Sequence, residues 1–317
     1  MTKEHLRQEF SRLAKFSTLK DCNDLAEIFL ECLWNIMSAN YGKEVATYAH
    51  KDAGMINQMM FTKLLHLKVL LKGVGYTGGN GQKLNDIIDP TIIASLVRNV
   101  FETSALFNLL FRQTHSEEEL MIVYNLWSIA GLKYRQRFKS TMSEENKEKL
   151  ADEEKQIESE IKQIKDSNKY KSLDTRSRKK IDTKIEKKDY RIVFDGNKVK
   201  SYGSWQDLCD VMHFKKEIFD NIYTYFSLYS HPSCVSVFQF EVMFDKEREE
   251  YKELTILNLK YCFSFLSVFI ADYIYLFPDA KIIFEKLSLE KQIAINFPNK
   301  MLRGNDYSIN DAWQNLE

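Results

Sequence analysis

Tyr223, Ser227 and His231 stand four residues apart in the stretch Tyr223-Thr224-Tyr225-Phe226-Ser227-Leu228-Tyr229-Ser230-His231-Pro232-Ser233. On a helix this spacing stacks a phenol, a hydroxyl and an imidazole on one face. Histidine is the side chain whose ordinary titration lies nearest neutrality, so the set is suited to acid–base chemistry. Each polar group needs a partner in this otherwise apolar and aromatic segment, because burying one without a hydrogen bond is costly. Pro232 predicts the end of the helix and leaves His231 beside it.

The partners suggested by residue type are Arg98 and Glu102, spaced i, i+4. They sit in a segment opened by Asp89-Pro90, a helix start with Asp as N-cap and Pro at the first helical position. Ile93, Leu96, Val97, Val100, Phe101, Leu106, Leu109 and Leu110 leave little of that helix polar. A charged pair there either fixes helix packing or joins the histidine in a polar cluster, since an isolated buried ion is strongly penalised. The cluster reading assigns Arg98 to a two-point phosphate contact and His231 to proton transfer. Glu102 then orients one of them, and Tyr223 and Ser227 complete the network. None of these roles requires a metal or other cofactor. HExxH and clustered ligand spacings are absent from the sequence.

The elements that must position these residues are helical. Hydrophobic residues make up 44% of the 317, with only 4 Pro and 11 Gly, and the long segments carry a 3.6-residue period. Helices are expected over 2–15, 18–40, 55–72, 90–113, 116–138, 215–231 and about 245–277, with the tail after Pro298 peripheral. His66 lies beside the apolar stripe of the third and reads as a surface or structural residue. Net charge is zero, from 45 basic and 45 acidic residues, which argues against a general polyanion binder. Five dispersed cysteines without a CxxC pair argue against structural zinc and a disulfide framework. The N-terminus reads as an amphipathic helix and not a signal peptide. The uncharged run Tyr261–Ala271 is too short to span a bilayer. A cytoplasmic protein with no membrane partner is the expectation.

Gly73, Gly75 and Gly78 match G-x-G-x-x-G in spacing, but a helix precedes them and loop follows, so a connector is expected rather than a dinucleotide site. From 143 to 189 the composition changes. Residues 144–160 carry eight acids against three bases, and 162–188 carry four acids against eleven bases. This predicts a protruding helical hairpin whose arms attract each other, inserted into a single helical domain covering 1–317. Arg176, Arg178, Lys179 and Lys180 on its basic arm are candidate nucleic-acid contacts. Alternation around Asp195-Gly196 predicts one small β-hairpin. The fold class is therefore all-α, a helical bundle with the charged hairpin.

Three features together resemble a largely uncharacterised bacterial family of all-helical proteins, over roughly residues 54–275. They are Arg98-x3-Glu102, the charged hairpin leading into a Trp-containing turn, and Tyr223-x3-Ser227-x2-Ser230-His231-Pro232-Ser233. Such proteins are similar in architecture to the HEPN superfamily, whose active members are metal-independent ribonucleases of toxin and phage-defence systems. Those enzymes use Arg-x(4–6)-His, usually at a dimer interface. That motif is absent from this chain, so a site has to be assembled from Arg98 and His231 on different helices. The resemblance implies RNA as substrate, a homodimer, and a partner protein of a defence system. The alternative class is a non-catalytic interaction module in which the five residues form a structural network.

Overall fold

The computed structural model describes residues 2–44, 46–141, 143–241 and 250–310. Thr2, Thr18 and Thr47 each accept a backbone N–H from three residues on, and these caps start α1 (Lys3–Lys15), α2 (Leu19–Asn40) and α3 (Tyr48–Leu70). The glycine-rich connector is ordered as a second hairpin, β1 (Val74–Thr77) against β2 (Lys83–Ile87). At Gly75 a Cβ would lie 2.5 Å from Asp86 Oδ1 and 3.2 Å from the Leu84 carbonyl, so a larger residue would displace the Asp86 carboxylate. Asp89 accepts the Thr91 N–H at 2.8 Å and opens α4 (Pro90–Phe107). The chain then forms a π-helical turn over Asn108–Arg112, where the sequence predicts continued α-helix.

There follow α5 (Glu117–Arg135), α6 (Glu144–Asp166), α7 (Asn168–Ser172), α8 (Thr175–Lys187), β3 (Ile192–Asp195), β4 (Lys198–Ser201) and α9 (Asp207–Val211). The last part comprises α10 (Lys216–Phe219), α11 (Ile222–Ser230), α12 (Cys234–Phe240), α13 (Glu250–Leu276), α14 (Asp279–Glu285) and α15 (Leu289–Arg303). The fold is all-α with two small antiparallel hairpins. Its contacts divide the chain into two units, one made of Met1–Phe107 with Met212–Glu317 and the other of Asn108–Val211. The sequence predicts a single domain with an insertion at 143–189; the second unit is larger than that insertion.

In the first unit α13 is the central helix, covered by α2, α4 and α15. It is long and apolar enough to cross a membrane by length and composition, and 67% of its most apolar window is buried within the fold. Residues 242–249, where the sequence places its first turns, lie outside the described residues. Phe265 on α13 is fully buried and is ringed by Phe101, Phe214, Phe219, Phe226 and Tyr261, with centroids 5.0–6.5 Å away.

Asn299, Leu302, Arg303 and Ile309, beyond Pro298, belong to the core rather than the periphery, and residues 311–317 lie outside the described residues. Pro298 lies inside α15 and cannot donate to the helix ladder. Ser267 of α13 enters the gap: its hydroxyl donates to the Ile295 carbonyl and accepts the Asn299 N–H at 3.0 Å. One turn on, Arg303 pairs with Asp272 at 2.8 Å, both side chains 1% exposed, and Asn299 Oδ1 accepts its Nε–H. These partners make burial of the C-terminal helix end affordable for such polar groups.

In the second unit the charged segment packs on α5. Leu150, Ile157 and Ile164 of α6 are buried, and α6 packs on α5. Ile181 and Ile185 of α8 are buried as well, with α8 against α5 and β4. Acids that the sequence suggests are solvated are paired here. Glu153 takes Arg135, and Glu160 accepts from Ser128 and Gln156. These bonds offset part of the cost of bringing the carboxylates beside a thin apolar seam, with Glu160 Oε2 left buried and without a hydrogen bond. The β3–β4 hairpin forms where the alternation places it, with Gly196 at φ 58 in its two-residue loop. Below it Asp189 receives Lys184 at 2.5 Å and Arg191 at 2.9 Å. Burial alone would raise the Asp189 pKa; hydrogen bonds from Arg191 and Lys184 outweigh it and bring the carboxyl down to about 2.

Two outcomes are expected. Phe265→Ala should lower unfolding free energy by about 3–5 kcal/mol in denaturant titration, because it empties the centre of an aromatic cluster. Asp189 has a folded pKa below its unfolded value, so its stabilisation is present above about pH 4 and is lost as pH falls through about 2. The stability gap between wild type and Asp189→Asn should thus be on the order of 2 kcal/mol near neutrality and close between pH 4 and 2.

Candidate functional site

The polar site is built on two helices that share an apolar support. Phe101 of α4 and Phe226 of α11 both pack on Phe265, and Phe101 also lies 6.1 Å from the Tyr223 ring. Residues one turn away on the other flank of each helix therefore face each other. Helix α10 does not run into α11 as the sequence predicts. Asp220 and Asn221 separate them, with Asn221 at φ 62, a left-handed conformation that asparagine tolerates.

Four of the five predicted side chains meet. Arg98 Nε donates to Glu102 Oε1 at 3.0 Å, its Nη2 donates to the Tyr223 hydroxyl, and its Nη1 lies 3.2 Å from His231 Nε2. The Tyr223 hydroxyl donates in turn to Glu102 Oε1 at 3.1 Å, and the guanidinium carbon stands 4.6 Å from the Tyr223 ring centre. Ser227 is the exception. Its hydroxyl donates to the Tyr223 carbonyl at 2.9 Å, closing a helix turn instead of joining the cluster. Neither Arg98 nor Glu102 is a core group, with side chains 21% and 24% exposed. Burial and the Glu102 charge raise the Tyr223 pKa, against the pull of Arg98, so the phenol stays a proton donor at neutral pH.

His231 ends α11 in an extended conformation, φ −117 and ψ 151, as expected for a residue before proline. Ser233 and Ser236 clamp the turn that follows. Ser233 Oγ donates to the Leu228 carbonyl at 2.7 Å, and Ser236 Oγ to the His231 carbonyl at 3.1 Å. A guanidinium has only donors, so the contact with Arg98 makes His231 Nε2 the acceptor and leaves the ring proton on Nδ1. The imidazole is exposed and lines a cleft of about 390 Å³ with Thr91, Ile92, Ser95, Tyr229 and Phe240. Thr91 and Ser95 escaped the sequence reading. The signal was available, since Thr91, Ser95, Arg98 and Glu102 follow i, i+4, i+7, i+11 along one face.

The predicted nucleic-acid residues belong to the second unit. Arg176 and Lys179 are exposed and Arg178 is half-buried. Lys180 departs from the expectation, because its ammonium donates to the Val199 carbonyl and ties α8 to β4. Lys184, on the same basic arm, is buried in its pair with Asp189. His66 is exposed, and its Nδ1 contacts the Thr62 carbonyl at 2.7 Å. Among the described residues no three His, Cys, Asp or Glu side chains group as a metal site.

Residues 89–250, about half of the chain, match a family of unknown function, DUF5677. The chain belongs to the DUF5677 family. The matched segment runs from the cap of α4 to the first residue of α13, so all four clustered side chains fall inside it. Phe265, which supports them, lies outside it. No curated protein and no solved structure matches the chain.

Removing the Tyr223 hydroxyl takes one partner from Arg98 and another from Glu102. Tyr223→Phe should cost about 1–2 kcal/mol in denaturant unfolding. A double-mutant cycle with Glu102→Gln should give a coupling of roughly 0.5 kcal/mol or more. Strict additivity of the two changes would show that the contacts do not act together.

Proposed function

We propose that this DUF5677 protein is a metal-independent ribonuclease of HEPN-like kind, with His231 as its acid–base group and Arg98 as its phosphate ligand. The observation that carries this reading is the 3.2 Å approach of Arg98 to Nε2 of His231, whose side chain lines an open cleft. It brings together, from positions 133 residues apart, the two residue types that the HEPN enzymes hold in one short motif.

In this reading a phosphate entering the cleft competes with His231 for Nη1 of Arg98. Drawing that nitrogen away frees the Nε2 lone pair to take the proton of the ribose 2′-hydroxyl. The 2′-oxygen attacks phosphorus, the 2′-O–P bond forms and the P–O5′ bond breaks. The imidazolium returns its proton to the leaving 5′-oxygen, and the products are a 2′,3′-cyclic phosphate and a 5′-hydroxyl. Arg98 offsets the charge that builds on the phosphoryl oxygens, held in place by Glu102 through Nε and by Tyr223 through Nη2. Arg176, Arg178 and Lys179 of the second unit are proposed separately as nucleic-acid contacts. A homodimer and a partner protein of a defence system belong to the same proposal.

A second reading rests on the fact that every nitrogen of the Arg98 guanidinium already has a protein partner. On that reading the cluster is a structural clasp and the chain is an interaction module. Incubation with mixed RNA in EDTA separates the two. The wild type should cut, and His231→Ala and Arg98→Ala should each lose about 100-fold or more in rate. His231 is exposed, so its truncation should destabilise less than Arg98→Ala. A wild type that leaves RNA intact, with both variants equally destabilised, would establish the interaction module.

A further inference from the structure

The cleft at His231 is one end of a longer groove. An adjoining cavity of about 420 Å³ shares Thr91, Tyr229, Ser236 and Phe240 with it and continues to Glu250, Tyr251, Glu253, Leu254 and Leu257. Each part is of a size that takes a small organic group. The far end has a chemical character of its own. Its wall carries the rings of Tyr229, Phe240 and Tyr251 and the side chains of Leu254 and Leu257. The Tyr229 ring is braced, since its hydroxyl donates to Gln239 Oε1 at 2.8 Å. Glu250 and Glu253 supply carboxylates, no Lys or Arg is in the lining among the described residues, and the Lys252 ammonium stands 5.9 Å from the Tyr251 ring centre.

We propose that this end of the groove is a nucleobase subsite, selective for bases that carry an exocyclic amine. The proposal rests on the ribonuclease reading of the Arg98–His231 cluster and adds the substrate: single-stranded RNA with adenine, cytosine or guanine seated between the aromatic walls. Two carboxylates repel a phosphate, so the ligand there is the neutral part of a nucleotide. A flat ring stacks on the aromatic side chains, whatever its identity. Carboxylates accept from amino groups, as they do from the N4 amine of cytosine. Uracil has carbonyl oxygens where the other bases carry amines, and these face the carboxylates unfavourably. With His231, bonded to Arg98, lining one end and the carboxylates the other, the groove orients a nucleotide phosphate-first toward His231. A base paired within a duplex cannot enter without leaving its stack.

The test is equilibrium binding of fluorescein-labelled five-nucleotide RNAs to the full chain in EDTA, read by anisotropy. It uses the His231→Ala variant, so that the probes are not cut. Oligo-A and oligo-C should bind about tenfold or more tightly than oligo-U or a short duplex. Tyr251→Ala in the same background should weaken oligo-A by about tenfold, and Tyr251→Phe should retain its binding, which separates lost stacking from lost folding. Glu253→Gln should narrow the difference between oligo-C and oligo-U. Equal affinity for all the single strands, tight duplex binding, no binding of any probe, or an unaffected Tyr251→Ala overturns the subsite. Its failure is distinguishable from that of the cluster. Base-selective binding with no cleavage by wild type keeps the subsite and removes the ribonuclease. Cleavage that is indifferent to base and to Tyr251→Ala does the reverse.

Discussion

Phe265 has to be covered on every side, and most of the first unit follows from how that is done. It sits in a helix apolar around nearly its whole circumference, and such a helix is stable in water only when neighbours enclose it. Phe101 approaches from α4, Phe226 from α11, and Phe214 and Phe219 from the segment before α11. Because rings of this size bury much apolar area and prefer tilted or edge contacts, few arrangements satisfy all of them at once. The positions of α4 and α11 relative to α13 are set by that packing. Arg98, Glu102, Tyr223 and His231 are carried to one another as a consequence.

The polar groups of the first unit differ in setting: the Asp272–Arg303 pair is buried, whereas the Arg98 cluster borders solvent. Asp272 and Arg303 lie almost wholly out of solvent, and the Ser267 hydroxyl substitutes for a helix hydrogen bond that Pro298 disrupts. Removing any of these would strand a buried partner. Arg98 and Glu102 are instead about a fifth to a quarter exposed, and His231 stands at the cleft. Water can replace a partner there, so the network can exchange one contact for another at modest cost.

The second unit shows how charge can conceal packing. Read along the chain, residues 144–188 look like a solvated arm, because acids and bases greatly outnumber apolar residues. Yet Leu150, Ile157 and Ile164 form a buried line, and the polar residues between them are spent on α5 through Arg135 and Ser128. Long charged side chains bury their stems as readily as they reach water. Composition does not distinguish the two uses; only the neighbour does.

By itself the sequence determined the helical class, most helix starts, the β3–β4 hairpin and the two stripes of polar residues. Those are local properties, set by periodicity, caps and turn residues within a few positions of one another. Tyr223 and Arg98 could be named because their own helices give them away as polar groups on apolar faces. Tertiary structure alone decided that Ser227 turns to its own backbone, that Lys180 and Lys184 are internal ties, and that Asn299, Leu302 and Arg303 are core. It also decided that the glycine-rich segment folds as a hairpin and that the His231 cleft extends along α12 and α13. Each of these depends on which distant group completes a hydrogen bond or covers a surface, and that information is carried by the packing around Phe265 and along α5, not by any one stretch of residues.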